Sequence, residues 1–118
     1  MIKSYKDLEV YKTSYKLAFY IHKITKNFPE HEIYEIGSQL RRSSLSIALN
    51  IAEGYGKQDS AKEFKRYLNI SLGSCNETMV LIDFIKDLNY INEKQQKELL
   101  EKYQVLAKRI YTLIEKWK

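Results

Sequence analysis

Two histidines, one cysteine and 15 carboxylates are the groups with which this chain of 118 residues could do chemistry, and their spacing does not suit catalysis. A carboxylate-bridged di-metal centre in a helical bundle needs Glu-x-x-His pairs projecting inward from two helices. Here Phe19 stands three residues before His22 and Phe28 three before His31. Cys75 has no Cys or His at zinc-ligand spacing beside it. A Gly-rich phosphate loop, a Ser-His-Asp set and a nucleophile elbow are also missing. The expectation is a protein that is not an enzyme and holds no cofactor or metal. Cys75 reads as a small apolar core residue. A lone cysteine cannot form an internal disulfide, which fits a reducing compartment. The N-terminus has no apolar signal core, and no apolar run approaches about 20 residues. A cytoplasmic protein with no membrane partner is expected.

The remaining chemistry is charge and aromatic surface. Lys and Arg number 20 against 15 Asp and Glu, a formal net charge of +5, which permits a polyanionic partner without requiring one. Lys12, Lys16, Phe19, Tyr20 and Lys23 share one helical face, opposite Leu17 and Ile21. Lys57, Lys62, Lys65 and Arg66 gather where the second and third helices meet, and Arg41 and Arg42 lie further down the second helix. Interleaved basic and aromatic side chains suit a phosphate backbone with unstacked bases. Lys12, Lys16, Lys23, Arg41, Lys57, Lys62, Lys65 and Arg66 are therefore the candidate nucleic-acid-binding residues. Ten tyrosines equally suit a subunit interface. Lys97, Lys102 and Lys108 alternate with Glu98, Glu101 and Glu115, the pattern of a plain solvated face.

The stretch from Ile33 to Gly56 carries two faces at once. Ile33, Ile36, Leu40, Ile47 and Ile51 recur at helical spacing as an apolar stripe. Glu35, Gln39, Arg42, Ser46 and Glu53 fall on the opposite side, with Asn50 at the border and Leu45 and Leu49 close by. A solvated stripe would be rich in Lys and Glu, so this face suits contact with another protein surface. Gln39, Arg42, Ser46, Asn50 and Glu53 are the candidate subunit-interface residues. Arg42 and Glu53 lie about 16 Å apart along the axis and cannot pair within the helix.

Helices must position these groups. One Pro and four Gly leave few breaks, and 118 residues bury roughly two-thirds of their unfolded surface as one domain. Ser4 with Asp7 looks like a capping box opening a first helix over 5–27, with Val10, Leu17, Ile21, Ile24 and Phe28 inward. Pro29 ends it. The second helix spans 32–53, with Gly54 or Gly56 as a left-handed stop. Ser60 with Glu63 caps a third over 60–88, whose stripe runs through Phe64, Leu68, Cys75 and Ile82. The mid-helix Gly73-Ser74 predicts close approach of a neighbouring helix or a kink. Asn92 with Gln95 caps a fourth over 92–117, where Leu99, Tyr103, Leu106, Ile110, Leu113 and Trp117 alternate steps of four and three. The expected fold class is all-α, an antiparallel up-down-up-down four-helix bundle occupying 1–118.

Several runs occur together and in order: Asp7-Leu8-Glu9-Val10-Tyr11, Phe28-Pro29, Glu32-Ile33-Tyr34, Gln39-Leu40-Arg41-Arg42-Ser43-Ser44, Asn50-Ile51-Ala52-Glu53-Gly54, Glu63-Phe64 and Gly73-Ser74-Cys75-Asn76-Glu77. This pattern resembles the bacterial four-helix bundle family encoded by intervening sequences of 23S ribosomal RNA genes, which includes the accessory variability protein of diversity-generating retroelements. The resemblance covers Tyr5 to Ile91. It implies a small bundle that assembles as a ring-shaped homopentamer, with basic surfaces for RNA or RNA–DNA hybrids and no catalytic activity. For the retroelement relatives it implies a reverse transcriptase with its template RNA as partner. The alternative function it leaves open is a protein-interaction scaffold without direct nucleic-acid binding.

Overall fold

A computed structural model describes residues 1–118. A 3-10 turn (Tyr5–Asp7) precedes α1 (Glu9–Thr25), a single helical turn α2 (Glu30–Ile33), α3 (Ile36–Tyr55), α4 (Ala61–Asp87) and α5 (Glu93–Lys116). The molecule measures 45 × 23 × 21 Å. The connections Gly56–Ser60 and Leu88–Asn92 hold five residues each and reach at most about 17 Å. The helices they join are about 30 to 40 Å long, so successive helices must reverse direction. α3 packs on both α1 and α4, α4 packs on α5, and α5 meets α1 only sparsely.

The caps follow local chemistry. Asp7 Oδ2 accepts from the backbone N–H of Ser4 and Lys3, and Ser4 Oγ accepts from Lys6 N–H. This box closes the 3-10 turn, so α1 starts four residues later than the sequence suggested, with Leu8 as its uncapped first neighbour. Ser60 Oγ accepts from Glu63 N–H, and Asn92 with Gln95 makes a reciprocal box at the head of α5. The expected second helix is broken: α2 and α3 are separated at Tyr34–Glu35.

No glycine has a positive φ, and Gly56 closes α3 at φ −63°. The left-handed stop expected at Gly54 or Gly56 is instead at Asn89 (φ 65°), between α4 and α5. There Tyr90 N–H donates to the Ile85 carbonyl at 2.9 Å and Asn89 N–H to that of Lys86 at 2.9 Å. Those two bonds form a Schellman motif, in which Asn tolerates the left-handed region that other side chains avoid.

Ile21, Leu40, Ile47, Ile51, Phe64, Leu68, Ile82, Ile85, Tyr103, Leu106 and Ile110 are fully buried. Two aromatic clusters close the ends of the core. Trp117 stands edge-on to Phe64 at 4.7 Å and to Tyr55 at 6.5 Å. At the other end Phe28 stacks near Tyr90 at 5.2 Å, whose hydroxyl donates to Glu32 Oε2 at 2.8 Å.

Candidate functional site

The α3–α4 seam is built from small polar residues. Ser71 Oγ donates to the Ile47 carbonyl at 3.0 Å, Ser46 and Ser74 hydroxyls meet at 3.0 Å, and Thr78 Oγ1 lies 2.9 Å from Ser43 Oγ and 2.8 Å from the Ser74 carbonyl. Gly54 lets the two helices approach there. A Cβ on Gly54 would lie 2.6 Å from Tyr67 Cβ. The close approach expected at Gly73 is absent, since Gly73 faces open space with nothing within 4 Å.

This seam divides the candidate interface residues. Ser46 and Asn50 turn inward: the Asn50 amide donates to the Ser46 carbonyl and hydroxyl at 2.9 and 3.1 Å. Gln39, Arg42 and Glu53 are exposed. The ion pairs of the chain are Lys12–Glu9 and Arg66–Glu63, so neither Arg42 nor Glu53 makes one within 4 Å. Gln39, Arg42, Ser43, Ser46 and Glu77 line one shallow polar groove of about 420 Å³.

Arg41 differs from its neighbour. Its guanidinium donates to Thr25 Oγ1 and to the Ile33 carbonyl, both at 3.0 Å. The candidate nucleic-acid ligand Arg41 is thus half-buried and held between the end of α1 and the end of α2, because the break at Tyr34 leaves the last carbonyls of α2 without helical partners.

The other candidate cations are separated by the fold. Trp117 against Phe64 and Tyr55, together with a groove lined by Leu8, Val10, Arg109 and Lys116, brings the start of α1, the end of α3, the start of α4 and the end of α5 to one end of the bundle. Residues 1–15, 49–67 and 109–118 carry ten Lys and Arg against six Asp and Glu, and the rest of the chain carries ten against nine. Most of the net charge therefore resides at this end. Lys12, Lys57, Lys62, Lys65 and Arg66 belong to it, whereas Lys23 and Arg41 do not, and Lys16 lies midway along the bundle beside Gln95, Glu98, Glu101 and Lys102 of α5. Lys12 lies 3.5 Å from Glu9. Arg66 holds Glu63 at 3.0 Å and stacks 4.5 Å over the Tyr67 ring, and that guanidinium keeps the Glu63 carboxyl below the usual carboxylate range. Lys23 sits 4.9 Å over the Phe19 ring.

Cys75 and Tyr103 are both fully buried. Burial pushes the Cys75 thiol up to about 12 and raises the Tyr103 phenol as well. The Tyr103 hydroxyl has no hydrogen-bond partner. His22 and His31 are exposed at separate places, no three His, Cys, Asp or Glu side chains converge as a ligand set, and no helix is long and apolar enough to cross a membrane.

Sequence reasoning missed an apolar groove and an apolar ridge. The groove, about 420 Å³, runs between α1 and α3 and is lined by Tyr15, Ala18, Phe19, His22, Arg42 and Leu45, with Arg41 at one end. The ridge lies on the outer side of α4, where Ile70, Val80 and Phe84 are exposed. Steps of three and four through residues 70, 73, 77, 80 and 84 were legible but were masked by the stronger core stripe of the same helix.

Comparison with known proteins places this architecture. A solved crystal structure of a protein of unknown function from the S23 ribosomal protein family of Bacteroides thetaiotaomicron has a similar fold, with a TM-score of 0.78 and 25% identity, covering 89% of this chain and 97% of that one. No curated protein matches the chain. The family model described as 23S rRNA-intervening sequence protein matches residues 6–112. The runs that carried the sequence resemblance lie on the bundle just described, and the chain belongs to the 23S rRNA-intervening sequence protein family.

Proposed function

We propose that this chain is a non-catalytic, self-associating accessory protein that binds RNA or an RNA–DNA hybrid through the basic end of its bundle. The observation that carries the reading is the segregation of charge: four of the five net positive charges lie on residues that converge at one end. A random scatter of the same residues would leave no focused potential, whereas a concentrated one attracts a phosphate backbone. Self-association is supported by exposed Arg42 and Glu53, which lack ion-pair partners within the chain and stand beside exposed Leu45 and Leu49.

The test is a fluorescence titration of labelled single-stranded RNA. Four phosphate contacts, from Lys57, Lys62, Lys65 and Arg66, predict an affinity loss of about 50-fold between about 50 and 200 mM salt. Reversing Lys57, Lys62 and Lys65 to Glu removes the binding, and reversing Lys94 and Lys97 at the opposite end leaves it. Absence of binding at the lowest salt would defeat the nucleic-acid reading. A nuclease-insensitive pull-down of a protein such as a reverse transcriptase would then favour a scaffold. For self-association, Arg42→Ala or Glu53→Ala shifts the mass towards monomer in light scattering; an unchanged mass in both removes that face from the interface.

A further inference from the structure

We propose that the aromatic cluster at the basic end is a stacking platform for an unpaired nucleobase, so that the strand bound there is a single one. The proposal rests on the nucleic-acid reading just stated and adds which part of the ligand is recognised, and by which side chain.

Trp117 follows the last turn of α5 with an extended backbone (φ −74°, ψ 133°), and its N–H still donates to the Leu113 carbonyl at 2.9 Å. That bond fixes where the indole stands. The ring meets Phe64 from the first turn of α4 and Tyr55 from the last turn of α3. Interplanar angles within the trio are 90°, 72° and 82°, so each contact is edge-to-face and no ring covers another face to face. Phe64 is fully buried, whereas Trp117 and Tyr55 are only partly covered. Aromatic surface is therefore left open at the tip of the bundle, braced from inside by Phe64.

The surroundings select the occupant. Lys57 follows Tyr55 by two residues, Lys62 precedes Phe64 by two, and Lys116 and Lys118 flank Trp117; all four are exposed. Against them in the same segments stand Asp59, Glu115 and Glu63, the last engaged by Arg66 at 3.0 Å. Lysines that hold a phosphate backbone beside open rings bring the bases of that backbone onto those rings. Every base has a π-face, so stacking adds affinity without reading sequence. A base inside a duplex is already stacked and offers no free face. The far end of the bundle makes the contrast. Phe28 and Tyr90 pair there at 5.2 Å, but Phe28 is buried, the Tyr90 hydroxyl is tied to Glu32, and exposed Glu30 stands alongside. Carboxylates at that end would repel a phosphate.

Trp117 is the only tryptophan of the chain, so its emission reports this ring alone when excited at the red edge. The full chain is titrated with a short single-stranded RNA, a duplex of the same sequence, and an abasic strand of equal phosphate count, with binding read independently through a label on the strand. The single strand should quench Trp117. The abasic strand should bind about 10-fold more weakly and without quenching, yet with the same dependence on salt, because its phosphates are unchanged. Trp117→Leu keeps an apolar side chain over Phe64 and should lower the intact strand to the abasic affinity, and Trp117→Phe should restore part of the difference; circular dichroism and thermal melts establish that both are folded. If the labelled strand binds while Trp117 emission stays constant, or if intact strand, abasic strand and duplex bind the wild type equally, charge alone holds the ligand. The platform is then overturned and the nucleic-acid reading stands. Absence of binding by every strand at the lowest salt overturns that reading, and the platform with it.

Discussion

Adjacent arginines of one helix have opposite fates. Arg42 points outward, whereas Arg41 donates two hydrogen bonds that fasten α3 to Thr25 and to the Ile33 carbonyl. Arg41→Ala should cost about 1–3 kcal/mol in urea unfolding, because a carbonyl loses its partner, and should leave RNA affinity unchanged. A parallel loss of affinity would return Arg41 to the nucleic-acid surface. Tyr103 makes the reverse case, a buried hydroxyl without a partner. Tyr103→Phe should be neutral or raise stability by up to about 1 kcal/mol, since an orphaned polar group carries its desolvation cost. The pH dependence follows from the same pair. Unfolding returns Cys75 from about 12 to the ordinary thiol value of 9.0 and lowers the Tyr103 phenol as well. Above pH 9 the unfolded chain releases protons that the folded chain retains, so stability falls as pH rises, by up to about 1.4 kcal/mol per unit for each group. Cys75→Ala should move the onset of alkaline destabilisation from about pH 9 towards the tyrosine range, as read from urea melts at stepped pH.

At the scale of elements, two helical glycines predict opposite outcomes for the same substitution. Gly54→Ala places a methyl 2.6 Å from Tyr67 Cβ and 3.0 Å from Phe64 Cδ1. It should destabilise by about 1–3 kcal/mol as α3 and α4 are pushed apart. Gly73→Ala meets nothing and should stabilise α4 by about 0.5–1 kcal/mol. Thermal melts of the two variants moving in the same direction would contradict this account of the seam. The sequence drew attention to Gly73 because a mid-helix glycine is costly, but spacing alone cannot say which glycine faces a neighbouring helix. Helix periods and the caps at Ser60 and Asn92 were legible because they depend on residues within one turn. The break at Tyr34 was not, and with it the carbonyl of Ile33 that Arg41 reaches from α3, a contact between residues eight apart in sequence.

The molecule as a whole gathers cations at one end and spreads exposed apolar groups along its length. The basic end gathers Lys57, Lys62, Lys65 and Arg66, and the exposed apolar groups lie on the sides of α1, α3, α4 and α5. Salt should therefore separate two activities: about 1 M salt strips RNA, because phosphate contacts are screened, while the assembled mass persists through contacts that do not weaken with ionic strength. Sedimentation in both conditions, with and without labelled RNA, measures each separately. Assembly that dissolves together with RNA binding would place charge, not apolar contact, at the subunit interface.

An all-helical bundle with inward Leu17, Leu40, Leu68 and Leu106 was decided by amphipathic spacing alone, because helical periodicity is a property of neighbours in the chain. The family pattern was likewise readable residue by residue. Which polar groups remain free was decided only by packing. Ser46 and Asn50 belong to the seam with α4, Arg41 to the junction with α2, and the scattered lysines of three segments become one basic end because antiparallel helices return to the same place. Hydrogen bonds and charge convergence between residues far apart in sequence require the third dimension, and no period along one helix encodes them.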